Sequence, residues 1–175
     1  LTATKLEEKC DRFVDNLIAK NFSIIERATL KVSSKEIDQS FFAYALNEIS
    51  IHRNDASMLS IDLKVNGLSL PTYWSDGIIV ATPTGSTAYN LSVGGPLVTP
   101  DSKVTIISPI APHNLNVRPL IVPEGSSVEI VTHSRSGYYT LNVDNRDIRL
   151  SCEYPLTIEN GDFKLKTINM SDTNF

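Results

Sequence analysis

The sequence predicts a mainly β fold: a layered β-sandwich with one N-terminal amphipathic helix. Three observations lead there. Only one stretch repeats its apolar residues at helical spacing. Many short runs rich in β-branched residues follow it, separated by Pro, Gly, Asp and Ser. One of those runs alternates strictly and ends in Asn-Gly, a pair suited to a type I′ turn because both of its central residues need positive φ.

The helix comes first. Leu6, Cys10, Phe13, Val14 and Leu17 recur at spacings of three and four, the period of one helix face. Thr4 followed by Glu7 reads as a capping box, and the helix is expected to stop near Asn21. A strand is expected over Ser23 to Val32. Leu59 to Val65 sets Leu59, Ile61, Leu63 and Val65 against Ser60, Asp62 and Lys64, the pattern of a half-buried antiparallel strand. Asn66-Gly67 turns it back. A second hairpin is expected at Asn160-Gly161, between 156–158 and 163–165. Further strands are expected at Ile78 to Ala81, Val104 to Ile107, Ser127 to Val131 and Tyr138 to Val143.

Composition narrows the function. The 175 residues are 41% hydrophobic and 21% charged, an ordinary globular balance that excludes disorder, collagen and coiled coil. No apolar run approaches the roughly 20 residues of a membrane span. The first residues have no basic stretch leading into an apolar one, so no signal peptide is expected. Two distant cysteines, Cys10 and Cys152, provide neither a disulfide framework nor a zinc site, and free thiols suit a cytoplasmic protein. A net charge of -4 argues against nucleic acid as a partner. None of His52, His113 and His133 stands at metal-ligand spacing from another His or Cys, so no metal-ligating residue is assigned, and no G-x-S-x-G elbow is present.

One region departs from the sandwich pattern. The buried run 78–81 leads into Thr82-Pro83-Thr84-Gly85-Ser86-Thr87, then into about two helical turns that stop at Gly94-Gly95, with Ser86 or Thr87 as N-cap. A strand, a hydroxyl-rich turn and a helix start together suit a nucleotide, and Gly85 would let backbone approach it closely. An ordinary sandwich corner with a capped helix explains the same residues, since neither a Walker lysine nor G-x-G-x-x-G follows the strand. Two carboxylates precede the region. Glu48, beside Asn47, suits the two hydroxyls of a ribose or a solvated strand end, and for the isolated dipeptide the solvated strand end is favoured; Asp76 opens the buried strand. His113 and Arg118 sit in a Pro-fenced loop, where they could touch a phosphate or brace the loop, with bracing favoured for His113. Asp144-Asn145-Arg146 reads as a turn between strands with the Arg facing solvent.

Taken together, these pieces resemble the NAD kinase family. The resemblance is carried by Asn47-Glu48, Ser75-Asp76-Gly77, the string from Thr82 to Tyr89 with Ser92 and Gly94-Gly95-Pro96, then Pro112-His113, Leu115, Arg118-Pro119 and Asp144. It implies transfer of the terminal phosphoryl group of ATP, or of polyphosphate in some members, to the 2′-hydroxyl of the adenosine ribose of NAD, with a divalent cation such as Mg. In that family an N-terminal α/β domain carries a G-G-D-G-T motif whose Asp is the general base. A C-terminal β-rich domain binds NAD and makes much of a homo-oligomeric interface. No G-G-D-G-T occurs in this sequence. The resemblance therefore implies that residues 1–22 are a helix at the junction with a missing N-terminal domain and that 23–175 form the NAD-binding domain. No catalytic residue is expected in the chain, which alone should be inactive.

By the same resemblance Asn47 and Glu48 would hold NAD, with Glu48 on ribose hydroxyls. Thr87, Ala88, Tyr89 and Ser92 would meet the adenosine part, Tyr89 by stacking. Asp76 would reach the nucleoside of a neighbouring subunit, and Ala111 the nicotinamide end through its backbone. Arg146 stands where many members have Gln. Trp74 stands where many have Arg and is left out of the site. The alternatives are a non-catalytic sandwich that binds a nucleotide or a protein, and a lipid kinase of related architecture.

Overall fold

The computed structural model describes residues 3–114 and 116–170, with side chains from residue 10 onward. Leu115 and the Thr4–Glu7 capping box lie outside what it describes. The chain divides into two compact units, one of residues 1–27 with 165–175 and one of 28–164.

The smaller unit holds helix α1 (Ala3–Ile18) and strand β1 (Ser23–Arg27), which pairs antiparallel with the last strand, Leu165–Asn169. The expected strand over Ser23 to Val32 is thus two strands. Its second part, β2 (Leu30–Ser33), belongs to the larger unit, where Thr29 caps the break by donating from its hydroxyl to the Phe163 carbonyl at 2.6 Å.

The larger unit continues with β3 (Tyr44–Ala45), β4 (Glu48–Arg53), β5 (Leu59–Val65), β6 (Leu68–Ser69), β7 (Tyr73–Ser75) and β8 (Gly77–Ala81). A 3-10 turn (Thr84–Thr87) and the single turn α2 (Tyr89–Ser92) follow. Then come β9 (Val104–Ile110), β10 (Leu120–Pro123), β11 (Val128–His133), β12 (Tyr138–Val143), β13 (Arg146–Ser151) and β14 (Leu156–Asn160), with β15 (Leu165–Asn169) in the smaller unit. One sheet runs β10-β9-β8-β4-β12-β13 and the other β3-β2-β14-β11-β5-β6, with β7 also on β5.

The two sheets share one core, which makes them a sandwich. The strict alternation of β5 puts Leu59, Ile61 and Leu63 inside, against Ile49, Ile51, Ile78, Val80 and Leu141 of the other sheet. All five residues of β8 are buried, because that strand is covered on both faces. Its second face carries a smaller cluster, Ile79, Ala81, Ile106 and Ile110, under Val93 and Val98. No helix among the described residues is long and apolar enough to cross a membrane.

Turn chemistry is partly as read. Asn66 (φ 51°) and Gly67 (φ 80°) are both left-handed and join β5 to β6 with Val65 opposite Leu68. The Asn160-Gly161 hairpin does not form: β14 pairs with β2 and β11, and β15 with β1. Gly161 is needed for closeness instead. Its N–H donates to the Thr29 carbonyl at 2.7 Å, and a Cβ there would sit 2.1 Å from Thr29 Oγ1.

Candidate nucleotide site

At one end of the six-stranded sheet β4 begins, β8 ends and β12 turns into β13. Asp144 (φ 44°) and Asn145 (φ 65°) form that last turn, with Val143 opposite Arg146. Asp and Asn tolerate left-handed backbone better than other side chains that carry a Cβ. The Asp144 carboxylate takes three backbone donors in a row: Leu46 N–H at 2.5 Å, Asn47 N–H at 3.0 Å and Glu48 N–H at 3.1 Å. Bonds to a charged acceptor contribute about 1.5–3 kcal/mol each. Asp144 N–H donates back to the Glu48 carbonyl at 3.2 Å.

Thr82 holds the carbonyl side of the same segment. Its N–H donates to Asn47 O at 2.9 Å and its hydroxyl to Leu46 O at 2.5 Å. Thr82 Oγ1 also accepts the Gly85 N–H at 3.1 Å, and neither Ser86 nor Thr87 is an N-cap: that position is Pro83 before the 3-10 turn and Ala88 before α2. Ser86 bonds Val98 instead. The expected two helical turns are one 3-10 turn and one α turn, joined at Ala88, whose backbone is not helical (φ -92°, ψ -133°). So short an element provides little helix dipole. Gly85 does allow close approach, but to the protein itself: a Cβ there would lie 2.1 Å from Asn47 O. Asn90, fully buried, pins the segment down. It donates to Ser86 O at 3.2 Å and Pro96 O at 3.1 Å, and accepts from Ser108 Oγ at 2.7 Å.

Glu48 is 9% exposed, and its Oε2 is buried without a partner among the described residues. Burial first, and then the Asp144 charge, push its pKa up from the usual 4.5, while a backbone hydrogen bond with Tyr89 pulls the other way. Glu48, Ser50 and His52 share one face of β4 by alternation. The His52 ring stacks on Tyr89 at 5.7 Å and 18°, and its Nε2 lies 2.8 Å from Ser50 Oγ. Burial lowers the His52 pKa, which favours the neutral ring. Tyr89 remains 37% exposed, so one side of its ring is braced by His52 while part of it faces solvent. Thr87 and Ser92 are exposed beside it, and Ala88 is half-buried.

The structure therefore brings together Asn47, Glu48, Thr87, Ala88, Tyr89 and Ser92. Arg146 borders them and is not solvent-facing. It is half-buried, donates to Tyr44 O at 2.5 Å and lies 5.1 Å from the Phe42 ring, with Nε buried and unpartnered among the described residues. Asp76 and Ala111 lie elsewhere, at the opposite end of β8, about 16 Å away for five residues of strand. There Asp76 pairs with Arg53 at 2.9 Å, and Ala111 (φ 45°) ends β9. His113 braces through its backbone, with N–H to Trp74 O at 2.7 Å. Sequence reasoning passed over His52 and the three-fold role of Asp144. Neither the His52–Tyr89 stack nor the Asp144 bonds have a local signal, because those partners are distant in sequence, 97 residues for Asp144 and Asn47.

Known proteins resemble this chain over nearly all its length. The ATP-NAD kinase C-terminal domain model matches residues 46–170. The NAD kinase of Flavobacterium psychrophilum is 38% identical over 99% of this chain and 60% of its own, and that of Cytophaga hutchinsonii 37% over the same shares. The chain thus spans about 60% of the length of the curated relatives it matches. Among solved structures, yeast NADH kinase complexed with NADH superposes with a TM-score of 0.85 at 28% identity, over 96% of this chain and 50% of that one. An NAD kinase from Archaeoglobus fulgidus in complex with ATP gives 0.76 at 26% identity, over 90% and 59%. With the family model covering most of its residues and the sandwich fold in common, this chain belongs to the NAD kinase family.

Proposed function

We propose that this chain is the NAD-binding portion of an enzyme that transfers the terminal phosphoryl group of ATP to the 2′-hydroxyl of the adenosine ribose of NAD, giving NADP, in the cytoplasm. The single observation that carries this reading is the buried, unpartnered Oε2 of Glu48 beside the half-open Tyr89 ring. A buried carboxylate oxygen without a donor is costly, and a ribose hydroxyl supplies the donor.

In this reading Glu48 accepts from the ribose hydroxyls, and the Asn47 amide bonds the ligand next to it. Tyr89 stacks on the adenine, backed by His52, for about 1–3 kcal/mol. Thr87, Ala88 and Ser92 line the adenosine edge, and Arg146 bounds the site beyond Asp144. Asp76 and Ala111, at the other end of β8, serve the nucleoside and nicotinamide of a neighbouring subunit in a homo-oligomer. Residues 1–22 form a junction to a further domain, and 23–175 form the NAD-binding domain. The sequence contains no G-G-D-G-T, so the general base is assigned outside it, and this chain alone does not turn over. Magnesium finds no cage here: no three His, Cys, Asp or Glu side chains cluster among the described residues, and both Asp144 oxygens are taken by N–H groups. The ion is therefore assigned to the nucleotide phosphates and not to this chain.

Calorimetric titration of NAD into the folded chain tests the reading. Saturable binding that Glu48→Gln weakens is expected, with no NADP formed from ATP, Mg²⁺ and NAD. No binding at millimolar NAD would favour a protein-interaction module, and robust turnover would place a base within these residues.

A further inference from the structure

We propose that Asp144 is the positioning residue of this site: its carboxylate, not a strand ladder, fixes the turn that presents the Asn47 amide and the Glu48 carboxylate to the ligand. The proposal rests on the nucleotide reading above. In a β-strand successive N–H groups point in opposite directions, so one acceptor cannot collect three in a row. Leu46 and Asn47 lie between β3 and β4, outside any strand, and there three consecutive N–H groups converge on one carboxylate. Such a concave run of amides is an anion nest, here filled by a side chain of the same protein.

The bonding is two-sided. Asp144 holds the N–H groups of residues 46, 47 and 48, Thr82 holds the carbonyls of Leu46 and Asn47, and Asp144 N–H holds that of Glu48. The backbone of the segment is fully engaged, and the Asn47 side chain is left for a ligand. Both carboxylate oxygens are required: Oδ2 serves Leu46, and Oδ1 serves Asn47 and Glu48. An Asn in place of Asp144 would offer one acceptor and turn an NH₂ group toward another donor. The position is also exacting in backbone, since the carboxylate is aimed by the paired left-handed residues 144 and 145. A negative charge so near Glu48 is unfavourable by itself, and the three donors offset it.

The test compares Asp144→Asn, Asp144→Ala and, as a control on the same hairpin, Asp147→Asn in the full 175-residue chain. Backbone amide exchange is followed by NMR and NAD affinity by calorimetry. Asp144→Ala should speed exchange at Leu46, Asn47 and Glu48 at least tenfold, leave Ile51 and Leu141 unchanged, and weaken NAD at least tenfold. Asp144→Asn should fall between Asp144→Ala and the wild type, and Asp147→Asn should match the wild type in both readouts. Unchanged exchange at 46–48, or equal loss of protection in the core, would overturn the proposal. So would a loosened turn that binds NAD as before. A wild-type chain that binds no NAD would instead remove the nucleotide reading, and the proposal with it, while the exchange data still show whether Asp144 holds the turn.

Discussion

The two ends of the six-stranded sheet are built differently. At the end where β4 starts, side chains close the backbone: Asp144, Thr82 and Asn90 together accept or donate at residues 46, 47, 48, 85, 86 and 96. At the other end, Asp76 and Arg53 form one ion pair, each side chain about a third exposed, beside a half-exposed Trp74 and the strained tip at Ala111. The first end is held by buried side chains that bond the backbone of its loops. The second is held mainly by backbone bonds, Arg53 N–H to Asp76 O at 3.0 Å and Asp76 N–H to Ile110 O at 2.9 Å, and leaves its charged side chains partly open to solvent.

That contrast predicts unequal responses to substitution. The largest should come from Gly85. Both Gly85→Ala and Gly85→Val drive a Cβ into the Asn47 carbonyl and should lower urea-measured stability by about 3 kcal/mol or more, the upper range for overpacking. Equal tolerance of Ala and glycine would show that the two backbones can separate.

Next is Glu48. Glu48→Gln should weaken NAD at least tenfold, yet leave the fold standing. The same variant isolates a pH effect. Because folding raises the Glu48 pKa above 4.5, the folded state holds that proton more tightly than the unfolded chain does. Its contribution is full below about pH 4.5 and is lost as pH rises through the raised value. Denaturation curves across that window should decline for the wild type and flatten for Glu48→Gln.

Tyr89→Ala should weaken NAD by about 1–3 kcal/mol, and Tyr89→Phe by far less, if the ring acts as a stacking surface. The smallest effect on the fold belongs to Asp76→Ala, within about 1 kcal/mol for a partly exposed ion pair. Under the homo-oligomer proposal its effect on NAD should depend on protein concentration, measured by titration over a wide range of concentrations. A large, concentration-independent loss would place Asp76 in the same pocket as Glu48 and erase the contrast.

Much of this was legible in the sequence. The alternation of β5, the apolar run of β8 and the Asn66-Gly67 turn are local and came through. The break between β1 and β2 did not, because a β-branched run carries no mark of where a strand changes sheet. Asn160-Gly161 misled for a related reason: glycine there makes room for Thr29, and composition cannot separate closeness from positive φ. Of the site, Asn47, Glu48 and Tyr89 were found through the family resemblance and do meet. Asp144 was read as a turn residue and as part of the resemblance, but its hold on the backbone was not legible, since that work is done on residues almost a hundred positions earlier.

Asn90 has a consequence for how this loop can change over evolutionary time. Its amide ties Ser86 to Pro96, its backbone carbonyl accepts Gly95 N–H at 2.8 Å, and a Cβ on Gly95 would lie 2.0 Å from its Oδ1. Surface connections usually absorb insertions readily, but here one added residue between 90 and 96 would pull the clasp apart. The segment's length is therefore expected to be held fixed, and natural insertions and deletions to collect elsewhere, as between Arg53 and Leu59.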